Sequence, residues 1–137
     1  TRKRMEFLGV SGLDARIHFL KPLGFLDYVK LQMNAFCVVS DSGTLPEESS
    51  YFRCFPAVCI RTSTERPEAL DKGNFIIGSI TEESVLQAVD VAVEMQKNSD
   101  HGGLVPDYTD LNVSTKVVKI IQSYTSVVNK VVWSKAP

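Results

Sequence analysis

Four short runs in this chain are apolar at almost every position: Ile17-His18-Phe19-Leu20, Phe36-Cys37-Val38-Val39, Ala57-Val58-Cys59-Ile60 and Asn74-Phe75-Ile76-Ile77. A strand with one wet face alternates apolar and polar residues, and these runs do not alternate. Such strands are covered on both faces. Between them lie helical patterns, which supply the crossovers that parallel strands require and a tight hairpin cannot. The expected fold class is α/β, with a doubly wound parallel sheet.

The helices follow from spacing. Phe25, Leu26, Val29 and Met33 share a stripe and predict a helix over residues 25–35. A second is expected over residues 45–52, where Thr44-x-x-Glu47 has the spacing of a capping box and Pro46 suits the first turn. Thr81 reads as the N-cap of a helix reaching about Lys97, with Val85, Ala88, Val89, Ala92 and Met95 recurring at helical intervals. Residues 101–110, opening with His101-Gly102-Gly103, are turn-rich and interrupt the theme. Beyond them Val113, Val117, Ile120, Ile121, Tyr124, Val128 and Val131 predict a long closing helix, against the low helix propensity of its β-branched residues.

Composition narrows the class. With 137 residues, 44% apolar and 23% charged, the chain has room for one domain and resembles neither a disordered tail, a collagen nor a coiled coil. No apolar run approaches the ~18 residues of a membrane span, and no apolar core follows the basic Thr1-Arg2-Lys3-Arg4, so neither a span nor an export signal is expected. A net charge of −1 offers no field for nucleic acid. Residues 111–137 nevertheless contain four lysines and no acid, which fits either a solvated helix face or a docking surface for an acidic partner. Cys37, Cys54 and Cys59 are odd in number and lack CxxC spacing; reduced, buried thiols of a cytoplasmic protein are expected. His18 and His101 have no metal-ligand spacing to a cysteine, and no metal site is expected.

Chemistry in such a fold sits beyond the carboxyl ends of the strands. Two segments there carry functional groups. In Ser40-Asp41-Ser42-Gly43-Thr44-Leu45-Pro46-Glu47-Glu48, a strand empties into Ser-Gly and then a helix. Gly43 would let an anion approach the backbone at the positive end of the helix dipole, and Ser42 would add a hydroxyl. Glu47 belongs to the capping box; Glu48 is available to accept from a diol such as ribose. In the second segment, 61–68, Arg66 precedes a Pro67-initiated helix with Thr64 as a possible cap. Its guanidinium could meet a phosphate bidentately, or could pair with Glu65 or Glu68. Tyr28 and Phe25 could offer an aromatic face to a nucleobase or be core residues of their helix.

Asp41-Ser42-Gly43, Glu47-Glu48 and Thr64-Glu65-Arg66-Pro67-Glu68 resemble, in order and spacing, the C-terminal domain of non-hydrolysing UDP-N-acetylglucosamine 2-epimerases. Residues 19–28, 105–108 and 120–124 look closest to the capsule and O-antigen branch that forms UDP-N-acetyl-L-fucosamine. The resemblance covers nearly the whole chain. It implies the C-terminal half of a two-domain glycosyltransferase B-type fold, each half Rossmann-like. Residues 1–110 would be part of the UDP-binding domain. Residues 111–137 would be a helix that crosses back to pack on an N-terminal domain. Carried over by position, Ser42 and Gly43 would contact the pyrophosphate, Glu48 the ribose hydroxyls and Tyr28 the uracil, while Arg66 would support departure of UDP.

Family chemistry explains the need for that grip. The C2 hydrogen of an N-acetyl sugar is not beside a carbonyl, so UDP is eliminated to give a 2-acetamidoglycal and added back after protonation on the opposite face. Preorganised N–H donors and an arginine stabilise the leaving charge, and holding UDP keeps the return step effectively intramolecular. The expected partners are UDP and a UDP-N-acetyl sugar, without a cofactor, in surface-polysaccharide precursor synthesis. The intact protein would be a homo-oligomeric isomerase.

Two departures stand out. Thr44 occupies a position where the family has glycine, and residues 51–56 leave the helix-to-strand connection open. The general acid and base belong mostly to an N-terminal domain that this chain is not expected to include, so turnover is not expected of it alone. Relatives of the branch carry His-Pro-Arg just before a stretch like Thr1-Arg2-Lys3-Arg4, so the start is expected to fall mid-domain. Exposure of the closing helix's stripe would favour self-association. Two other readings fit the same residues: a stand-alone nucleotide-binding or regulatory module, and half of a UDP-sugar glycosyltransferase.

Overall fold

The computed structural model describes residues 2–10 and 12–135. The chain divides into two compact units, Thr1–Leu31 and Gln32–Pro137. The first holds helix α1 (Arg2–Phe7) and most of α2 (Phe25–Met33). The run 17–20, expected as a strand, is irregular here. Ile17, Phe19 and Leu20 are exposed, and no strand of the sheet pairs with them. A run of four residues is too short to distinguish strand from coil.

The second unit carries three parallel strands in sequence order: β1 (Val38–Ser40), β2 (Ala57–Cys59) and β3 (Ile76–Ile77). Val38 stands opposite Ala57 and Val58 opposite Ile76. The helices are α3 (Leu45–Phe52), α4 (Pro67–Asp71), α5 (Glu82–Lys97) and α6 (Val113–Val131), with a 3-10 turn at Pro106–Tyr108. Each strand is shorter than its apolar run: β1 and β3 begin two residues late, and β2 ends one residue early. The first helix expected in this chain likewise stops at Met33, short of Ala35.

The middle strand shows why its sequence does not alternate. Ala57 and Cys59 pack with Leu45, Phe55, Ala69, Phe75 and Val105 on one face of the sheet. Val58 packs with Ala88 and Ala92 of α5 on the other. All three β2 residues are buried, so the sheet is covered by α3 and α4 on one side and α5 on the other, as a doubly wound α/β fold demands. Burial also pushes the Cys59 thiol up to about 11, which keeps it protonated and inert at neutral pH.

Helix ends follow local chemistry. The Thr81 side chain accepts from the Ser84 amide and starts α5 as expected. The connection over residues 51–56 is made by ending α3 with Arg53 in the left-handed region (φ 49°) and sinking Phe55 into the core. Helix α6 runs for 19 residues with none of them buried; Val117, Ile120, Ile121, Tyr124 and Val128 all remain exposed. No helix among the described residues is long and apolar enough to cross a membrane.

Candidate functional site

Because the strands are parallel, the segments after β1, β2 and β3 leave from one edge of the sheet. Residues 41–44 and 61–66 meet at that edge. In the first loop the Ser42 amide donates to Ser40 Oγ at 3.0 Å, and the Ser42 and Thr44 hydroxyls lie 2.9 Å apart. The Thr44 amide also donates to Ser42 Oγ at 3.3 Å. Thr44, in the glycine position of the family pattern, therefore orients the Ser42 hydroxyl.

The capping box expected from Thr44-x-x-Glu47 is not formed. Thr44 has helical dihedrals (φ −84°, ψ −19°) and its side chain makes no cap bond. A cap needs an extended residue whose oxygen reaches forward over the first turn; here that oxygen turns back to Ser42. Glu47 is drawn instead to Arg66, whose Nε donates to Glu47 Oε1 at 2.6 Å. Arg66 thus pairs with an acid other than the two considered for it. Neither the Glu65 nor the Glu68 carboxylate is its partner; Nη1 reaches only the Glu65 carbonyl, at 3.3 Å. Glu47 stabilises the charged guanidinium further, first through that hydrogen bond. Among the described residues Nη2 has no hydrogen-bond partner.

The other acids are also engaged. Glu48 accepts from Gln32 Nε2 at 2.6 Å, and Gln32 is buried. Glu68 Oε1 accepts from the Tyr108 hydroxyl at 2.5 Å, which holds the Glu68 carboxyl below its usual range. Burial first, and then the same hydrogen bond, push the Tyr108 phenol well above its ordinary value. Glu65 pairs with Arg61. Its own backbone N–H first, and then Arg61, hold its carboxyl low. Thr64 Oγ1 accepts from the Arg66 amide at 3.0 Å and shapes the entry to α4.

At Gly43 the second loop lies directly against the first. A Cβ built there would collide with Glu65 Oε1, so the second loop closes over the first. Ser42, Gly43, Glu48 and Arg66 thus come together on one edge of the second unit. Tyr28 lies on α2 in the first unit and is half-buried. The pairs Glu47–Arg66, Gln32–Glu48 and Glu68–Tyr108 were not foreseen. The only hint was acids and an arginine in segments that leave the same sheet edge.

The family model described as UDP-N-acetylglucosamine 2-epimerase matches residues 1–122. The chain belongs to the UDP-N-acetylglucosamine 2-epimerase family. The UDP-N-acetylglucosamine 2-epimerase of Methanocaldococcus jannaschii is 31% identical over 101 residues, which are 72% of this chain and 27% of that protein. Among solved structures, that of the UDP-N-acetylglucosamine 2-epimerase from Rickettsia bellii is 44% identical with a TM-score of 0.81, covering 98% of this chain and 37% of that one. The Neisseria meningitidis UDP-GlcNAc 2-epimerase, solved bound to UDP-GlcNAc, has a TM-score of 0.62. It covers 89% of this chain and 33% of its own, and at 23% identity the likeness is one of fold. The chain therefore spans 27–37% of the length of these three relatives. Its α/β architecture matches part of their two-domain, glycosyltransferase B-like structures.

Proposed function

We propose that the second unit holds the UDP moiety of a UDP-N-acetyl sugar for inversion at C2. On this reading the chain is the leaving-group half of a 2-epimerase and performs no turnover alone. The observation that carries it is the approach of the Glu65-Arg66 loop to Gly43 at one sheet edge, where Glu65 overlies Gly43 and Glu47 fixes the Arg66 guanidinium. The Ser42 hydroxyl and the Gly43 backbone would take pyrophosphate oxygens, and Arg66 would stabilise the charge that develops as UDP departs. Glu48, oriented by Gln32, would accept from the ribose hydroxyls. Family membership supports this assignment, as does the Neisseria relative with UDP-GlcNAc bound.

Isothermal titration of the chain with UDP is expected to show binding in the micromolar to millimolar range; no heat at millimolar UDP would sink the reading. Measurable epimerisation of UDP-N-acetylglucosamine by the chain alone would overturn the view that the acid and base lie elsewhere. Similarity over residues 19–28, 105–108 and 120–124 favours the capsule and O-antigen branch, acting in the cytoplasm where nucleotide sugars are made.

Helix α6 is the part of the proposal with a physical consequence of its own. Its exposed stripe fits a role in packing on the N-terminal domain of an intact, homo-oligomeric enzyme. By itself the chain is expected to self-associate through that stripe. Sedimentation should show mass rising with concentration, and Ile120→Lys with Tyr124→Lys should restore a monomer. A clean monomer for the unmodified chain at high concentration would remove α6 from this role.

A further inference from the structure

Each arginine at this sheet edge already faces a carboxylate. Arg61 and Arg66 are paired with Glu65 and Glu47, and Glu48 and Glu68 add two more carboxylates. A diphosphate approaching Gly43 would meet these four glutamates, the exposed Asp41 and two paired cations. Something must move before an anion is welcome.

The four glutamates are not equally free to do so. Glu47 and Glu48 are half-buried on α3, one held by Arg66 and the other by Gln32. Glu68 is half-buried on α4 and accepts from Tyr108. Of the four glutamates Glu65 alone is exposed, in the loop between β2 and α4 rather than on a helix. Its Oε1 occupies the space directly above Gly43 that a Cβ would fill. Among the described residues its one side-chain partner is Arg61, four residues back, and the Arg61 and Glu65 side chains keep 30% and 49% of their exposure. Beside them an open recess of about 490 Å³ is lined by Arg61, Thr62, Ser63, Glu65 and Ile80. Glu65 can swing into that space without disturbing the core.

Resting on the UDP-binding assignment above, we propose that the Arg61–Glu65 pair is a latch over the Gly43 seat. The Glu65 carboxylate stands in for a phosphate oxygen in the unliganded chain. An incoming diphosphate displaces it, and Arg61 transfers from Glu65 to the ligand as a second anion-binding guanidinium beside Arg66. Exposed ion pairs are weak, so a doubly charged ligand that can take two guanidiniums outcompetes a single carboxylate. Exchange of one anion for another also leaves Arg61 paired at every stage, which keeps the transition cheap. The latch further favours a diphosphate over a ligand with one weak anionic group, since only the former repays the displaced pair.

The test is UDP titration of three variants of this chain. Glu65→Gln keeps the side chain's shape and removes the competing charge, so it is expected to tighten UDP binding about fivefold. Arg61→Met is expected to weaken it about tenfold, in the Glu65→Gln background as well as in the original chain, because its contact is with the ligand. Thermal unfolding of Glu65→Gln should stay within about 2 °C of the unmodified chain, as for any exposed pair. Equal or weaker UDP binding by Glu65→Gln overturns the latch. So does Arg61→Met having no effect once Glu65 is neutral. If the unmodified chain binds UDP and Glu65→Gln changes nothing, the UDP reading stands and the latch falls. If neither binds, the UDP reading itself fails and takes the latch with it. Binding detectable only in Glu65→Gln would support both.

Discussion

Arg66→Ala is expected to weaken UDP binding about a hundredfold, the size typical for removing one member of a desolvated charge contact at a binding surface. Two losses combine. The ligand loses a guanidinium whose Nε is anchored on Glu47 at 2.6 Å while Nη2 remains available. Glu47 then faces the incoming phosphates without its cation, adding repulsion where there was attraction. Arg66→Lys is expected to recover only part, leaving binding about tenfold weak, because an ammonium cannot engage Glu47 and a phosphate through a planar fork. Stability should hardly change, since both partners are one third or more exposed (34% and 39%). Calorimetric titration of the two variants beside the unmodified chain decides the point. A loss of twofold or less for Arg66→Ala would show that the arginine serves Glu47 and not a ligand.

Gly102→Ala is expected to cost about 3 kcal/mol of stability, from the left-handed backbone and the forced displacement together. Gly102 has φ +68°, and a Cβ there would lie 2.7 Å from the Gly73 carbonyl and 2.8 Å from Asn74 Oδ1. Neither neighbour is free to yield. Asn74 is buried and its Nδ2 donates to Gly103 O at 2.8 Å, while the Gly103 amide donates to Lys72 O at 2.7 Å. Two positions on, the Val105 amide donates to the buried Ser50 hydroxyl of α3 at 3.2 Å. The 102–105 segment thus ties the end of α4 to α3, and shifting it disturbs both. Gly103→Ala is the control, because its Cβ would meet only the flexible Lys72 side chain, 3.3 Å away, and should change stability by less than about 1 kcal/mol. Urea denaturation of the two variants should separate them clearly. Equal effects would mean that the loop is looser than its hydrogen bonds imply.

The legible parts of this fold were those set by local chemistry or by burial on both sides. Helix α3 begins and ends where Pro46 and the apolar spacing place it, and Thr81 starts α5 through its own side chain. The β2 tripeptide reads as a covered strand because each of its residues touches one of two opposing cores. Residues 17–20 have equally apolar side chains, yet being a strand depends on a neighbour that a tetrapeptide does not encode. The same limit applied at the site. Parallel topology sufficed to bring Ser42, Gly43, Glu48 and Arg66 to one edge. Which acid meets which arginine is decided by loop geometry across 19 residues of chain, so Glu47 looked like a cap and turned out to be the anchor of Arg66.

The three strands lie side by side in the order in which the chain makes them, with facing residues only 19 and 18 positions apart. Each new strand therefore needs just one neighbour already in place, and its connecting helix is long enough to close the intervening loop at modest entropic cost. Such a sheet can assemble by accretion from β1 outward, without waiting for a distant segment to arrive. Contacts of short sequence separation also favour rapid folding. The second unit has the connectivity of something that can form during synthesis, strand by strand, and be ready to receive its ligand before any other part of a longer protein has docked on it.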